Sequence, residues 1–113
     1  MPASLDETRY LQLVAGVFRR VEDALETVDP EDVDLESRGD VLTLTLKDGV
    51  RCVLNTQRPT SQIWLAAKAS AWHFDFDAPS ASWRDSKHGT ELFAVLREII
   101  RAGSGIDVTF SSS

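Results

Sequence analysis

The first third of the chain carries apolar residues at three- and four-residue spacing. Tyr10, Val14, Val17, Phe18, Val21, Leu25 and Val28 form one stripe along a helix of about 3.6 residues per turn. Ser4-Leu5-Asp6-Glu7 has the form of a capping box, in which the Ser4 hydroxyl takes the Glu7 amide and Glu7 reaches back. Asp29-Pro30 stops the pattern, because the residue before proline disfavours the α region. The spacing therefore predicts a first helix over residues 5–28.

From Val33 the period changes to two. Residues 33–36 alternate as a half-buried strand. After a turn at Arg38-Gly39-Asp40, residues 41–46 place Leu42, Leu44 and Leu46 on one face and Val41, Thr43 and Thr45 on the other. Lys47-Asp48-Gly49 reads as a hairpin turn, with Gly49 free to take positive φ. Further strands are predicted at 50–55, 62–67, 72–76 and 82–84, with a break at 57–60. Thr90 is the expected N-cap of a second helix that turns Leu92, Phe93, Leu96, Ile99 and Ile100 inward and ends on Gly103 as its C′ residue. Residues 106–110 alternate again and read as a packed extended tail; Ser111 to Ser113 read as frayed ends.

Helix, meander, helix makes an α+β fold. The expectation is a two-layer sandwich, with the two terminal helices packed on one face of a mainly antiparallel five- to six-stranded sheet. The other face is left to solvent, which antiparallel sheets tolerate. With 113 residues and neither linker nor repeat, residues 1–113 read as a single domain. The sole cysteine, Cys52, excludes an intramolecular disulfide or a zinc-type cysteine cluster, and in its β-branched run it reads as a small buried hydrophobe. No apolar run approaches the ~20 residues of a membrane helix. Residues 1–7 lack the basic and apolar regions of a signal peptide, so a cytoplasmic protein without membrane contact is expected.

The net charge of −6 argues against a nucleic-acid partner, but its distribution says more. Residues 1–36 hold ten acids and three bases, a net −7, while residues 37–113 are close to balanced at +1. On the predicted helix, Glu22, Glu26 and Asp29 share a narrow arc with Asp23 beside them. Asp34 and Glu36 extend the patch if the first strand lies next to the helix, with Glu31 and Asp32 between. A solvated face is the ordinary outcome for such a run. Here, however, carboxylates crowd the negative end of the helix macrodipole, and Glu22 and Glu26 repel at i,i+4. Arg19 alone is well placed to offset them. Several local rules broken at one place mark a candidate site. Oxygen donors without His or Cys suit hard cations, and without the spacing of a calcium loop they suit shallow, weak binding of several ions. A docking surface for a basic partner is the alternative use, and the residues alone do not separate the two.

A second constellation runs from Asn55 to Leu65. Period two puts Gln62, Trp64 and Ala66 on one face and Ile63 and Leu65 on the other. If Ile63 and Leu65 face the helices, Trp64 stands on the open face among Asn and Gln, as a binding hot spot does. The opposite register would bury Trp64 in the core; the pattern alone leaves both open. Arg38-Gly39-Asp40 is read as a hairpin turn only. His73 and His88 are singletons, and one His defines no metal site, although His73 faces away from Trp72 and Phe74 and can reach the open side. No nucleophile–base pair, phosphate loop or paired-cysteine motif is present, so an enzyme is not expected.

The run Asn-x-Gln-x-Pro-x-x-Gln-x-Trp over residues 55–64 resembles the signature strand of the frataxin family, in its bacterial branch. Residues 40–46, Trp72-His73-Phe74-Asp75-Phe76 and Trp83 are similar to that family's second, fifth and sixth strands. The likeness spans nearly the whole chain. It implies an iron-binding accessory or regulatory protein of iron–sulfur cluster assembly that binds Fe(II) and Fe(III) weakly and as multiple ions, with other divalent cations competing. It implies docking on a cysteine desulfurase and an iron–sulfur scaffold protein, and a monomer in the absence of iron. An iron chaperone, donor or store is the alternative role, and a ferroxidase is disfavoured by the missing ligands of a di-iron site. The resemblance carries the metal ridge onto Glu22, Asp23, Glu26, Asp29, Glu31, Asp32, Asp34 and Glu36, and the partner contact onto Asn55, Gln57, Gln62 and Trp64. Basic Arg19 and Arg20, adjoining the ridge, depart from the family pattern.

Overall fold

The computed structural model describes residues 6–110. Its elements run α1 (Glu7–Leu25), β1 (Val33–Arg38), β2 (Val41–Leu46), β3 (Arg51–Gln57), a short 3-10 turn at Arg58–Thr60, β4 (Gln62–Ala67), β5 (Ser70–Asp77), β6 (Ser82–Asp85) and α2 (Leu92–Ser104). The six strands form one sheet in sequence order, with every neighbouring pair antiparallel. Both helices cover the same face. Tyr10, Val14, Val17, Val21 and Leu25 from α1 and Leu92, Leu96 and Ile100 from α2 share one core with Leu42, Leu44, Cys52, Leu54, Ile63, Leu65, Phe74 and Trp83 from the sheet. Each large apolar side chain buried there is worth roughly 1.5–3 kcal/mol relative to exposure. The expected two-layer α+β sandwich is the observed one.

The differences lie at element ends. α1 stops at Leu25, three residues short of the expected 28, and Glu26 forms its C-cap in helical conformation. Asp29 is therefore off the helix; its carboxylate accepts the Glu31 amide at 2.9 Å and its carbonyl accepts the amides of Asp32 and Val33. The α1 N-cap is Asp6, which accepts the Arg9 amide at 2.8 Å, with Glu7 in the first turn; the expected box with Ser4 lies outside the described residues. At α2 the cap is Glu91 and not Thr90: its carboxylate accepts the amides of Phe93 and Ala94. An acid suits that position, at the positive end of the helix.

Gly103 is likewise not the C′ residue. It lies inside α2, while Gly105 takes the left-handed conformation at φ 77° and ends the helix. Gly103 is needed for packing instead, since a Cβ there would lie 2.4 Å from Leu46 Cδ1, and the Asp48 amide donates to its carbonyl at 3.1 Å. The tail makes no strand, yet it packs: Val108 is buried, Phe110 meets Phe93 at 4.9 Å between ring centroids, and Arg97 grips Asp107 with two hydrogen bonds at 2.7 and 3.0 Å.

Candidate functional site

The eight acids of the expected ridge occupy three structural settings. Glu22 and Asp23 stand on the last turn of α1, which contains no basic residue, and Glu26 caps it. Asp29, Glu31 and Asp32 line the connection to β1, and Asp34 and Glu36 project from β1 itself. All but Asp32 are exposed, and Asp32 is half-buried. The chain thus spreads them along one edge of the molecule and does not fold them around a point. Among the described residues, no group of three or more His, Cys, Asp or Glu is placed to enclose a metal ion. Two of the eight are engaged by bases: Glu36 by Arg38 at 3.1 Å and Asp32 by Lys47 at 3.9 Å. Arg20, next to the ridge in sequence, lies over the Phe93 ring at 3.9 Å, and Arg19 lines a shallow groove with Glu22, Asp40 and Thr56. The donors are oxygen only and open to water, which fits labile, weak contact with hard cations and not a closed chelate.

The four residues of the second constellation come together on the open sheet face. Ile63 and Leu65 are buried toward the helices, which settles the register question and sets Trp64 on the other side. Asn55 pairs with Trp64 and Gln57 with Gln62 across β3 and β4. Trp64 is half-buried, less exposed than an isolated strand residue. The reason is a neighbour across β4 and β5: His73 is its register partner and stacks on the indole, with ring centroids 4.2 Å apart and an interplanar angle of 12°. The indole Nε1–H donates to Gln62 Oε1 at 2.8 Å, and Gln62 Nε2 donates to Asp75 Oδ1 at 3.0 Å. Gln62 thus ties Trp64 to β5, and the polar rim that surrounds the indole is fixed on three strands.

His73 and Asp75 were not among the expected partner residues, although alternation in β5 puts both on the open face. Tyr10 was read only as part of an apolar stripe. Its hydroxyl nevertheless donates to the Gln62 carbonyl at 2.6 Å and accepts the Gln57 amide at 3.1 Å. Burial raises the Tyr10 phenol above its ordinary value, the Gln57 amide opposing that shift, so the hydroxyl keeps the proton it donates. On the helix side, Cys52 is fully buried, and loss of solvation pushes its thiol up to about 12.

The acidic edge and the Trp64 face meet on β1. Arg38, Val41, Asn55, Trp64 and His73 follow one another across five strands, and Glu36 is two register positions away, opposite Thr43 and Val53. No helix among the described residues is long and apolar enough to cross a membrane.

The model of the frataxin-like domain matches residues 3–105. An iron–sulfur cluster assembly protein, CyaY, of Paraburkholderia phytofirmans is 37% identical over 108 residues, covering 96% of this chain and all of that protein. The protein of the same description from Burkholderia mallei is 34% identical over 110 residues, with 96% and 100% coverage. Among solved structures, a frataxin from Psychromonas ingrahamii superposes with a TM-score of 0.86 at 27% identity, covering 96% of this chain and 100% of that one. The trimeric frataxin of Saccharomyces cerevisiae complexed with ferrous iron superposes with a TM-score of 0.61 at 25% identity, covering 94% and 92%.

Proposed function

The chain belongs to the frataxin family, and from that premise we propose that it is an iron-binding accessory protein of iron–sulfur cluster assembly, acting by binding and not by catalysis. Its relatives carry the assembly role in their descriptions, and one structural neighbour holds ferrous iron. In this reading the protein works in the cytoplasm as a monomer without iron, and docks on the cysteine desulfurase–scaffold complex. Glu22, Asp23, Glu26, Asp29, Glu31, Asp32, Asp34 and Glu36 present charge to iron or to a basic partner surface. Asn55, Gln57, Gln62 and Trp64 form the shape-specific contact. The observation that carries the reading is the shared face: a stacked, hydrogen-bonded Trp64 amid fixed amides, continuous with the acidic edge through β1.

Iron in this scheme is cargo. Exposed carboxylates that form no converging ligand set among the described residues exchange ions readily, and several can be held along the edge at once. That arrangement favours a regulator whose docking does not require metal over a store that must retain it. The test is a cluster-assembly assay on scaffold protein at controlled iron, run with the parent protein, with Trp64→Arg and with no addition. The parent should change the assembly rate and bind the complex without iron, while Trp64→Arg keeps its melting temperature and loses both effects. Binding that appears only after iron loading would favour the donor role. Unchanged binding by Trp64→Arg would remove the sheet face from the function.

A further inference from the structure

Tyr10 sits on α1, on the opposite side of the sheet from Trp64, yet its hydroxyl reaches the backbone that presents the Trp64 face. Gln57 and Gln62 are the last register pair at the end of β3 and β4 where the 3-10 turn departs. The Tyr10 hydroxyl is inserted between them: the Gln57 amide donates to it at 3.1 Å, and it donates to the Gln62 carbonyl at 2.6 Å. One atom from the helix layer thus sets the spacing of the two strand ends. The ring that carries it is held in place, buried and set edge-on to Trp83 with centroids 6.1 Å apart. A buried hydroxyl with both its donor and acceptor functions used is positioned more tightly than one with a free rotor.

The consequence lies on the far face. The Gln62 side chain links the indole nitrogen of Trp64, at 2.8 Å, to the Asp75 carboxylate, at 3.0 Å. A shift of the Gln62 backbone moves that side chain, and with it the direction in which the indole N–H and the Trp64–His73 stack are held. We infer that Tyr10 is a positioning residue for the open sheet face, acting through Gln62 to hold Trp64 in the orientation that a partner meets. The inference rests on the proposed docking function and adds to it a control from the helix layer. Supporting groups of this kind matter because an interface hot spot works only if its own rotamer is locked beforehand.

Tyr10→Phe keeps the ring and its packing and removes only the hydroxyl. It should fold, with the Trp64 indole N–H signal in NMR displaced and its hydrogen exchange faster. Its binding to the purified desulfurase–scaffold complex should be weaker by roughly three- to tenfold, the range expected from one hydrogen bond. Gln62→Leu should give a similar loss, and the double variant should bind no worse than Gln62→Leu alone, since both changes break the same link. Additive losses, or an indole signal that does not move in Tyr10→Phe, would overturn the positioning role and leave Tyr10 as a packing residue. Trp64→Ala supplies the control. If it binds as the parent does, the docking reading fails and this inference with it. If Trp64→Ala binds poorly while Tyr10→Phe binds as the parent does, this inference alone fails.

Discussion

The end of α1 should be electrostatically strained, and replacing Glu22 and Glu26 with Gln should relieve it. Glu22 stands in the last helical turn and Glu26 is the C-cap, with no basic residue in that turn. Each carboxylate opposes the helix dipole by roughly 0.3–1 kcal/mol, and their i,i+4 repulsion adds a few tenths. Both are exposed, so the lower part of those ranges applies, and the pair should cost about 1 kcal/mol. Gln keeps the size and nearly the helix propensity of Glu. The double variant should therefore melt about 4 °C higher in a chain of this size. Thermal melts followed by circular dichroism would read this at about 10 mM salt, where the screening length is ~30 Å, and at about 1 M, where it is ~3 Å. The gap between variant and parent should shrink as salt rises, and magnesium should stabilise the parent more than the variant. The same variant should bind Fe(II) less well, a loss of function with a gain in stability that marks charge kept for use. A double variant that melts at or below the parent at low salt, or a gap that ignores salt, would refute the reasoning and leave the acids as a solvated face.

Gly103→Ala should destabilise by about 1–3 kcal/mol, the usual cost of overpacking, because its Cβ would meet Leu46 at 2.4 Å; urea unfolding with an unchanged m-value measures it. Gly105→Ala, with open space around it but φ 77°, should cost less than that clash and so separates packing from backbone strain. Cys52 should resist alkylation at about pH 8 in the native state, since its thiol is pushed up to about 12 by burial and only the thiolate reacts. The raised value also fixes a sign: the stability held by the neutral thiol is full below the ordinary thiol range and is lost as pH rises toward that value. Cys52→Ala should therefore show a flatter alkaline stability profile in chemical denaturation than the parent.

The strands were readable because alternation in the sequence coincides with alternation in burial. β2 follows this rule at every position, and β4 came out with its exact limits, Gln62 to Ala67. Helix ends were not readable in the same way. Gly103 and Gly105 stand two apart after the same apolar stripe, and the choice depends on how closely the β2–β3 turn approaches α2. The candidate site divides along the same line. Period two placed Asn55, Gln57, Gln62 and Trp64 on one face, but the stack of His73 on Trp64 requires the β4–β5 register, which is set by the turn that joins them. Helical spacing put Asp29 on one arc with Glu22 and Glu26, although the helix itself was expected to end at residue 28, before Asp29-Pro30.

The join between the acidic edge and the Trp64 face has a kinetic consequence for the proposed role. Arg38 and His73 are four strand spacings apart, about 19 Å at ~4.8 Å each. A standard interface covers about 800 Å² on each partner, wide enough to touch Glu36 at one side and Trp64 near the other. Exposed carboxylates at the rim chiefly accelerate encounter with a basic surface, and a half-buried aromatic that packs against the partner chiefly slows departure. Cations bound along the ridge neutralise the charges that speed encounter but leave the Trp64 stack untouched. Iron should therefore lower the association rate of a basic partner while changing its dissociation rate little, whereas Trp64 substitution should do the reverse. Metal loading and partner docking are then linked through one set of carboxylates without any change of fold, and the link weakens with added salt as the free ridge is screened.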